Sequence, residues 1–455
     1  MKEHILTQNE ILTRFTLLFD DLLELGKERD VHRIINSYNS KDNEYENNKN
    51  VKISNIFFIW IGCLRSNSLE YINIWRKYAS KFEISIYIDM NFLLLDNSKD
   101  IFNTMYNIKK HSTADYIIEC QDNFRKTLNY KMKLGLSFDD SLISISKTLS
   151  INLSNKLENT LRLRKLKIAF LKKSYHIFDI SNCEDIFFDQ YLKNMYIQEL
   201  TLRGNPAAAA DILRLSILYN KGGIYIDVDT LPPMKYIYGP ISEGINPNIV
   251  NVVRSEYFLR NWREHHGFGK ERNIDLSELE NYLSVTSHKT LKDIRITSKK
   301  IQSIDFSIKD IYVNKDLISI AGLEKLHEYN NNVLISSKHS RLTRIILREV
   351  KRRYIFIHKN KYDLGIKNEE SSCHELYRLS NYRYDTFDDR NNVTLFLTGP
   401  SVILEVLLSV AYEVLDIDHD TSARALSYAL RLNCVSISFS EHTNYTPEHM
   451  KSSWM

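Results

Sequence analysis

Two aspartates, Asp227 and Asp229, follow Ile224-Tyr225-Ile226, a β-branched and aromatic run with the composition of a buried strand. At strand period two their carboxylates leave one face, roughly 6–7 Å apart along the chain. Pro232 and Pro233 prevent the strand from continuing. Paired carboxylates at the end of a buried strand are costly unless something positive is bound there. A hard divalent cation carrying diphosphate oxygens would supply that charge, and sugar hydroxyls could use the remaining lone pairs. Just upstream, Ala207–Tyr219 has helical periodicity with Ile212, Leu215 and Leu218 on one side. Asp211 and Arg214 are three residues apart, so both reach toward one spot from that helix. Lys221-Gly222-Gly223 closes it, glycine being suited to the left-handed conformation of a helix end. A bare Asp-x-Asp is a weak signal whose bland reading is a solvated strand end. The rival Asp416-Ile417-Asp418-His419-Asp420 follows an apolar run, Val402–Leu415, and reads as an exposed helix end. The helix–Gly-Gly–strand setting favours 227–229 as the site.

A chain of 455 residues can bury a large core or hold two or three domains. With 27 tyrosines and 20 phenylalanines against 13 glycines and 7 prolines, it is not a linker-rich or disordered protein. A net charge of +4 gives no reason to expect nucleic acid, and is compatible with an anionic membrane surface without requiring one. The five cysteines are scattered and form no Cys-x-x-Cys pair, which argues against a disulfide framework or a zinc site and for free thiols in a reducing compartment. The amino terminus, MKEHILTQNE, lacks the apolar core of a cleavable Sec signal, and no run has the length of a membrane span.

Residues 1–50 read as a helical segment, with a stripe from Ile5 to Leu25 suited to membrane or partner docking or to packing on the main domain, followed by the polar linker NSKDNEYENNKN. The main domain then runs over 51–455. Ser54–Gly62 is a continuous apolar run, the first strand of a parallel sheet, and Trp60 ends it. A mainly helical insertion spans about 109–196, without strand alternation; its stretch LRLRKLKIAFLKKSY (161–175) reads as a solvated basic helix face, or as a contact for a membrane or an acidic acceptor. His265-His266-Gly267-Phe268-Gly269-Lys270 has neither Walker spacing nor a preceding strand. Asn330–Lys338 reads as a turn into a strand, Val393–Pro400 as a strand entering a Thr-Gly-Pro turn and an apolar helix, and Cys434–Phe439 as an alternating strand.

In order and type these landmarks resemble the catalytic domain of the large clostridial glucosylating toxins and related effector glycosyltransferases. The shared residues are Phe58-Ile59-Trp60-Ile61-Gly62; Asp211, Arg214, Gly222, Gly223, Tyr225, Asp227 and Asp229; Asn330–Lys338; Thr398-Gly399-Pro400; and Ser452 with Trp454. The resemblance spans roughly 51 to 455 and implies an α/β, GT-A-type glycosyltransferase fold, a mixed, mainly parallel sheet with helical insertions. It implies that Trp60 stacks on uracil, that Asp211 and Arg214 orient the hexose, and that Asn331 contacts the donor sugar. It further implies that Tyr225 supports the site, that Asp227 binds ribose and sugar hydroxyls, and that Asp229 holds Mn²⁺ (or Mg²⁺) on the diphosphate. Ser452 and Trp454 would form a flap, with Ser452 joining the metal ligands and Trp454 donating to the glycosidic oxygen. The sequence departs from the family in two places: His449, with Glu448 beside it, stands where a metal-binding glutamate is expected, and Phe57 replaces a histidine. Imidazole is an acceptable manganese ligand.

The function implied is that of a secreted bacterial toxin or effector acting in the host cytosol. It would be a retaining transferase moving glucose or N-acetylglucosamine from a UDP-sugar to a hydroxyl of a host protein, with Rho- or Ras-family small GTPases the leading acceptors. Asn330 and Asn332 occupy positions that tune the donor in the family, and both are smaller than the pair in glucose-using toxins. Two other readings use the same residues: a transferase of bacterial surface polysaccharide, and a catalytically dead docking protein using the N-terminal helices.

Overall fold

The computed structural model describes residues 50–64, 69–109 with short breaks, 112–230, 311–314, 318–322, 329–366, 374–384 with one break, and 393–414. Their strands are β1 (Asn50–Ile53), β2 (Asn55–Trp60), β3 (Glu83–Ile88), β4 (His176–Asp179), β5 (Gly223–Ile226), β6 (Ile311–Asn314), β7 (Ile318–Gly322) and β8 (Tyr329–Ser336). Six of them form one sheet in the order β4-β3-β2-β5-β8-β7. β4, β3, β2 and β5 run parallel, whereas β8 is antiparallel to both β5 and β7. The sheet is therefore mixed and mainly parallel, as expected. β1 and β6 pair separately as an antiparallel ribbon. β2 lies inside the parallel part, and its four middle residues, Ile56–Ile59, are all buried. A strand covered on both faces has no solvent side to alternate toward, hence its unbroken apolar run.

The helices are α1 (Leu95–Tyr106), α2 (Ala114–Lys133), α3 (Phe138–Leu149), α4 (Ile151–Leu171), α5 (Gln190–Gln198), α6 (Pro206–Lys221), α7 (Arg341–Lys359), α8 (Val393–Leu397) and α9 (Pro400–Val414). The region 109–196 is mainly helical, with one correction: β4 sits inside it and extends the sheet beside β3, Ser85 opposite His176. Its sequence, His-Ile-Phe-Asp, is an edge strand too short to show a period. A second correction concerns Val393–Leu397, whose β-branched, apolar composition suggested a strand. It is a short helix packed against α6, α7 and α9. A short apolar run does not distinguish a buried strand from a buried helix, and here Thr398 N–H and Gly399 N–H close back onto Thr394 C=O at 3.1 and 3.0 Å.

α6 organises the site. Asn205 caps it, its side-chain oxygen accepting Ala208 N–H at 3.0 Å, and Pro206 supplies the first turn. The helix is buried on nearly every side, Leu213, Ser216 and Ile217 as fully as Ile212, Leu215 and Leu218, so its apolar pattern wraps the whole helix. It passes to β5 through Gly222 (φ 71°, ψ −176°) and Gly223 (φ 120°), which have positive φ without the compact left-handed turn expected of them. A Cβ on Gly222 would lie 2.6 Å from Lys338 N, and one on Gly223 would lie 2.3 Å from Asn55 Nδ2. These glycines let the turn close tightly against the end of β8 and the start of β2.

By contact density the described residues fall into two compact units. The larger holds 50–64, 82–227 and the described residues from 311 onward; the smaller holds the described residues between 69 and 81 together with 228–230. Within the smaller unit, the Trp75 indole N–H donates to Thr230 C=O at 2.7 Å, with both residues buried. Residues 1–49 and 415–455 lie outside the described residues, and with them the N-terminal helical segment, the rival acidic cluster and the 434–439 strand.

Candidate active site

β5 ends at Ile226, and the chain beyond it carries Asp227 at the sheet's edge, its N–H donating to Asn332 C=O at 2.8 Å. Val228 and Asp229 form a turn, so the strand-period alternation expected to carry both carboxylates stops after Asp227. Asp229 is partly exposed and belongs to the smaller unit.

In the larger unit four sequence-predicted residues converge with Asp227. Arg214 Nη2 meets Asp211 Oδ1 at 2.7 Å, while Nη1 donates to Asn331 C=O at 2.8 Å and lies 3.5 Å from Asp227 Oδ1. Asn331 returns its side-chain amide to Asp211 Oδ1 at 3.0 Å. Tyr225 donates its phenol to Asp227 Oδ1, and its ring lies under the Arg214 guanidinium, 4.5 Å from carbon to centroid. Asp211, Arg214, Tyr225 and Asn331 are buried, whereas Asp227 keeps 22% of its side chain open. One cation thus ties a helix, a strand end and a neighbouring strand together.

Burial pushes the Asp211 carboxyl up to about 7, against the pull of Arg214. Burial also raises Asp227, opposed by Arg214 and by the Tyr225 hydroxyl. The solvent reaching Asp227 weakens the burial contribution, so Arg214 counts for more there. Tyr225 is held well above the usual phenol range by burial, and stays a donor.

Trp60 ends β2 opposite Ile88 and is partly exposed, with its indole N–H buried and unpartnered among the described residues. It stands at the same carboxyl-end edge of the sheet as Asp227. Phe57 is buried between Tyr87 and Tyr225, ring centroids 5.7 and 5.6 Å away. An imidazole there would need a polar partner; the phenyl ring fills the space as an apolar support for Tyr225.

Thr398 was missing from the residues singled out as site candidates. Fully buried, it donates to Asp211 Oδ2 at 3.0 Å. Four residues back on the same side of α8, Thr394 Oγ1 accepts from Asn205 Nδ2 at 2.7 Å and Arg203 Nη2 at 3.3 Å. Arg203 pairs with the buried Glu199 at 2.7 Å, which also accepts the hydroxyls of Tyr354 (2.9 Å) and Tyr382 (2.7 Å). A polar chain therefore runs from Glu199 to Asp211 through the core. Its one sequence signal is the hydroxyl residue before Gly399-Pro400.

Among the described residues no three His, Cys, Asp or Glu side chains form a metal-holding group. Asp229 offers the hard oxygen such a cation prefers. The expected completing ligands, His449, Glu448 and Ser452, lie outside the described residues, as does Trp454.

A family model described as the TcdA/TcdB catalytic glycosyltransferase domain matches residues 104–391, more than half of the chain. The chain belongs to that glycosyltransferase family. Cytotoxin-L of Paraclostridium sordellii is 26% identical over 349 residues, 70% of this chain and 14% of that protein. Toxin B of Clostridioides difficile is 24% identical over 405 residues, 76% of this chain and 16% of that protein. The chain thus spans about a seventh of the length of these relatives. Among solved structures, the catalytic domain of Clostridium novyi alpha-toxin superposes with a TM-score of 0.71 at 20% identity, covering 100% of this chain and 91% of that one. The UDP-bound glycosyltransferase domain of the YGT toxin gives 0.63 at 16% identity, covering 88% and 81%. The fold is GT-A-like, with a mixed, mostly parallel central sheet.

Proposed function

We propose that the chain transfers a hexose, glucose or N-acetylglucosamine, from a UDP-sugar to a hydroxyl of a host protein, a Rho- or Ras-family small GTPase. The observation that carries this reading is the Asp211–Arg214–Asp227–Asn331 cluster at the carboxyl end of the sheet, where α/β folds present nucleotide ligands. A buried carboxylate, a part-exposed one and an amide around one guanidinium form a rigid set of acceptors and donors matched to sugar hydroxyls. UDP bound to a domain of the same fold, that of the YGT toxin, supports the nucleotide.

The roles divide along the electrostatics. Asp227 already accepts Tyr225 and lies 3.5 Å from Arg214, whose charge repels a second cation. Asp227 therefore suits ribose and sugar hydroxyls, and Asp229, with His449 or Glu448 and Ser452, would hold Mn²⁺ on the diphosphate. The metal would act as Lewis acid and template for the leaving group. Asp211 and Arg214 orient the hexose so that the acceptor oxygen approaches the anomeric carbon. Trp60 would stack on the base, and Trp454 would donate to the departing oxygen. As the anomeric carbon–oxygen bond breaks, its electron pair goes to the diphosphate, and the acceptor oxygen bonds to that carbon while its proton passes to the departing phosphate oxygen. Without a placed carboxylate nucleophile, retention would proceed on one face. In a secreted effector this chemistry would take place in the host cytosol.

The test is UDP release from a panel of UDP-sugars with Mn²⁺, followed by labelling of a host lysate. Metal-dependent turnover of one donor is expected. Asp229→Asn should mainly weaken the apparent metal affinity, and Asp227→Asn the donor affinity. No turnover and no donor binding by the natural protein would overturn the reading.

A further inference from the structure

The helical insertion reaches back to the sheet. Of the six cations between residues 161 and 175, Arg164 and Lys167 are part-buried and, three residues apart, lie on one side of α4. Lys167 donates to Leu64 C=O at 2.8 Å. Arg164 donates to Leu93 C=O and pairs with Asp96 at 2.6 and 2.9 Å. Leu64 and Leu93 are both buried. A buried carbonyl outside a ladder needs a donor, and a charged donor holds it most strongly. The basic stretch is thus not wholly a solvated face, because two of its cations turn inward.

The two carbonyls belong to neighbouring connections. β2 ends at Trp60 and β3 at Ile88, paired side by side, and residues 61–64 and 89–94 follow them at the carboxyl edge of the sheet. The connections meet where Gly62 packs against Leu95, whose Cβ lies 3.9 Å from a Cβ built on the glycine. The second connection is gripped by three more elements. The buried Asp139 of α3 accepts Leu93 and Leu94 N–H at 3.0 and 2.8 Å, where α1 begins without a side-chain cap of its own. Asp179, at the end of β4, accepts Met90 N–H at 3.2 Å, and Tyr196 of α5 donates to the buried Asp89 at 2.8 Å. Past the last ladder bond a strand no longer fixes its own continuation; here side chains of the insertion do so.

We propose that Arg164 and Lys167 are positioning residues for the nucleotide, holding the two connections beside Trp60 in the geometry that receives the base. The inference rests on the placing of the base at Trp60 proposed above. Neither cation has to touch the nucleotide; each fixes a backbone segment whose position sets the slot next to the indole. Removing one leaves a buried carbonyl short of that donor, and the connection shifts to recover another. In a preorganised site a misplacement of about 1 Å costs as much as a hundredfold. A purely structural pair would lower stability without selecting the nucleotide step.

The test is calorimetric titration of UDP with Mn²⁺ into the full chain, paired with steady-state donor kinetics. Arg164→Gln/Lys167→Met should weaken UDP binding about tenfold. The donor KM should rise alike with kcat within about threefold of wild type, because the base makes the same contacts in the ground and transition states. Lys167→Met alone should show part of the loss, and Lys167→Arg, which keeps a charged donor, should recover it. In a Trp60→Ala background the pair should cost less than about twofold more, since the slot it sets is already lost. A folded double variant that binds UDP as wild type does would overturn the inference, as would a full tenfold loss added to that of Trp60→Ala. If the double variant does not fold, Lys167→Met decides on the same criteria. Wild-type protein that binds no UDP would overturn the donor reading and this inference together; wild-type binding that the variants leave unchanged overturns the inference alone.

Discussion

Replacing Thr398 by valine isolates a single hydroxyl. The side chain is fully buried, so no water can take its place, and valine keeps its shape, so no cavity opens. What is lost is the bond to Asp211 Oδ2 at 3.0 Å, the oxygen of that carboxylate turned away from Arg214 and Asn331. A hydrogen bond to a charged group contributes about 1.5–3 kcal/mol, so a comparable loss in unfolding free energy is expected above pH 7, where Asp211 carries its charge. If Asp211 orients the hexose, the same loss in the transition state lowers kcat/KM by roughly ten- to a hundredfold. The fall should lie mainly in kcat where the sugar is held more tightly in the transition state than in the ground state. Thr398→Ser keeps the hydroxyl and removes a methyl group worth about 0.8 kcal/mol of stability; its kcat should stay within a few-fold of wild type. Steady-state UDP release and thermal unfolding of the three proteins decide the matter, the second independently of any assigned activity. A valine variant with wild-type melting and kinetics would refute the assignment. A serine variant as impaired as valine would place the effect in methyl packing.

Glu199→Gln removes the carboxylate paired with the buried Arg203 and gives Tyr354 and Tyr382 a poorer acceptor; a loss of about 3–5 kcal/mol is expected in denaturant unfolding, and an unchanged midpoint would contradict it. Gly222→Ala should destabilise more than Gly135→Ala: both glycines have positive φ, but only at 222 does the new Cβ meet backbone, 2.6 Å from Lys338 N, and nothing lies within 4 Å at 135. Equal melting temperatures would remove the close approach as the reason for that glycine. For Asp211, held at about 7 when folded against an ordinary value of about 3.9, the folded chain binds the proton more tightly. Its contribution to stability is therefore complete below about pH 4 and is lost as pH rises toward 7, so Asp211→Asn should flatten the fall in melting temperature across that window; parallel profiles would refute it.

What could be read directly from the chain was whatever short-range spacing determines. Asp211 and Arg214 share a helix face because three residues is nearly one turn, and Gly222-Gly223 announces a tight passage into β5 because few other residues reach positive φ. Asn331 needed more than spacing. Its place beside Asp211, 120 residues away in sequence, follows from β8 pairing antiparallel with β5, and it was legible through a family likeness. The contacts of Thr398 with Asp211 and of Glu199 with Tyr354 and Tyr382 were illegible for the same reason: they span 187, 155 and 183 residues, and buried polar pairs carry no periodicity; the Glu199–Arg203 pair alone among these has the spacing of one helical turn. Val393–Leu397 misled because composition reports burial before it reports conformation; the same five residues that suggested a strand are the helix that aims Thr394 and Thr398 at α6. The second aspartate shows the opposite limit. Period two holds only while the backbone stays extended, and β5 gives way to a turn at Val228-Asp229, so the two carboxylates need not act alike. That break leaves Asp227 held in the Arg214 cluster by the last ladder bond of the strand and places Asp229 in the turn, outside that register.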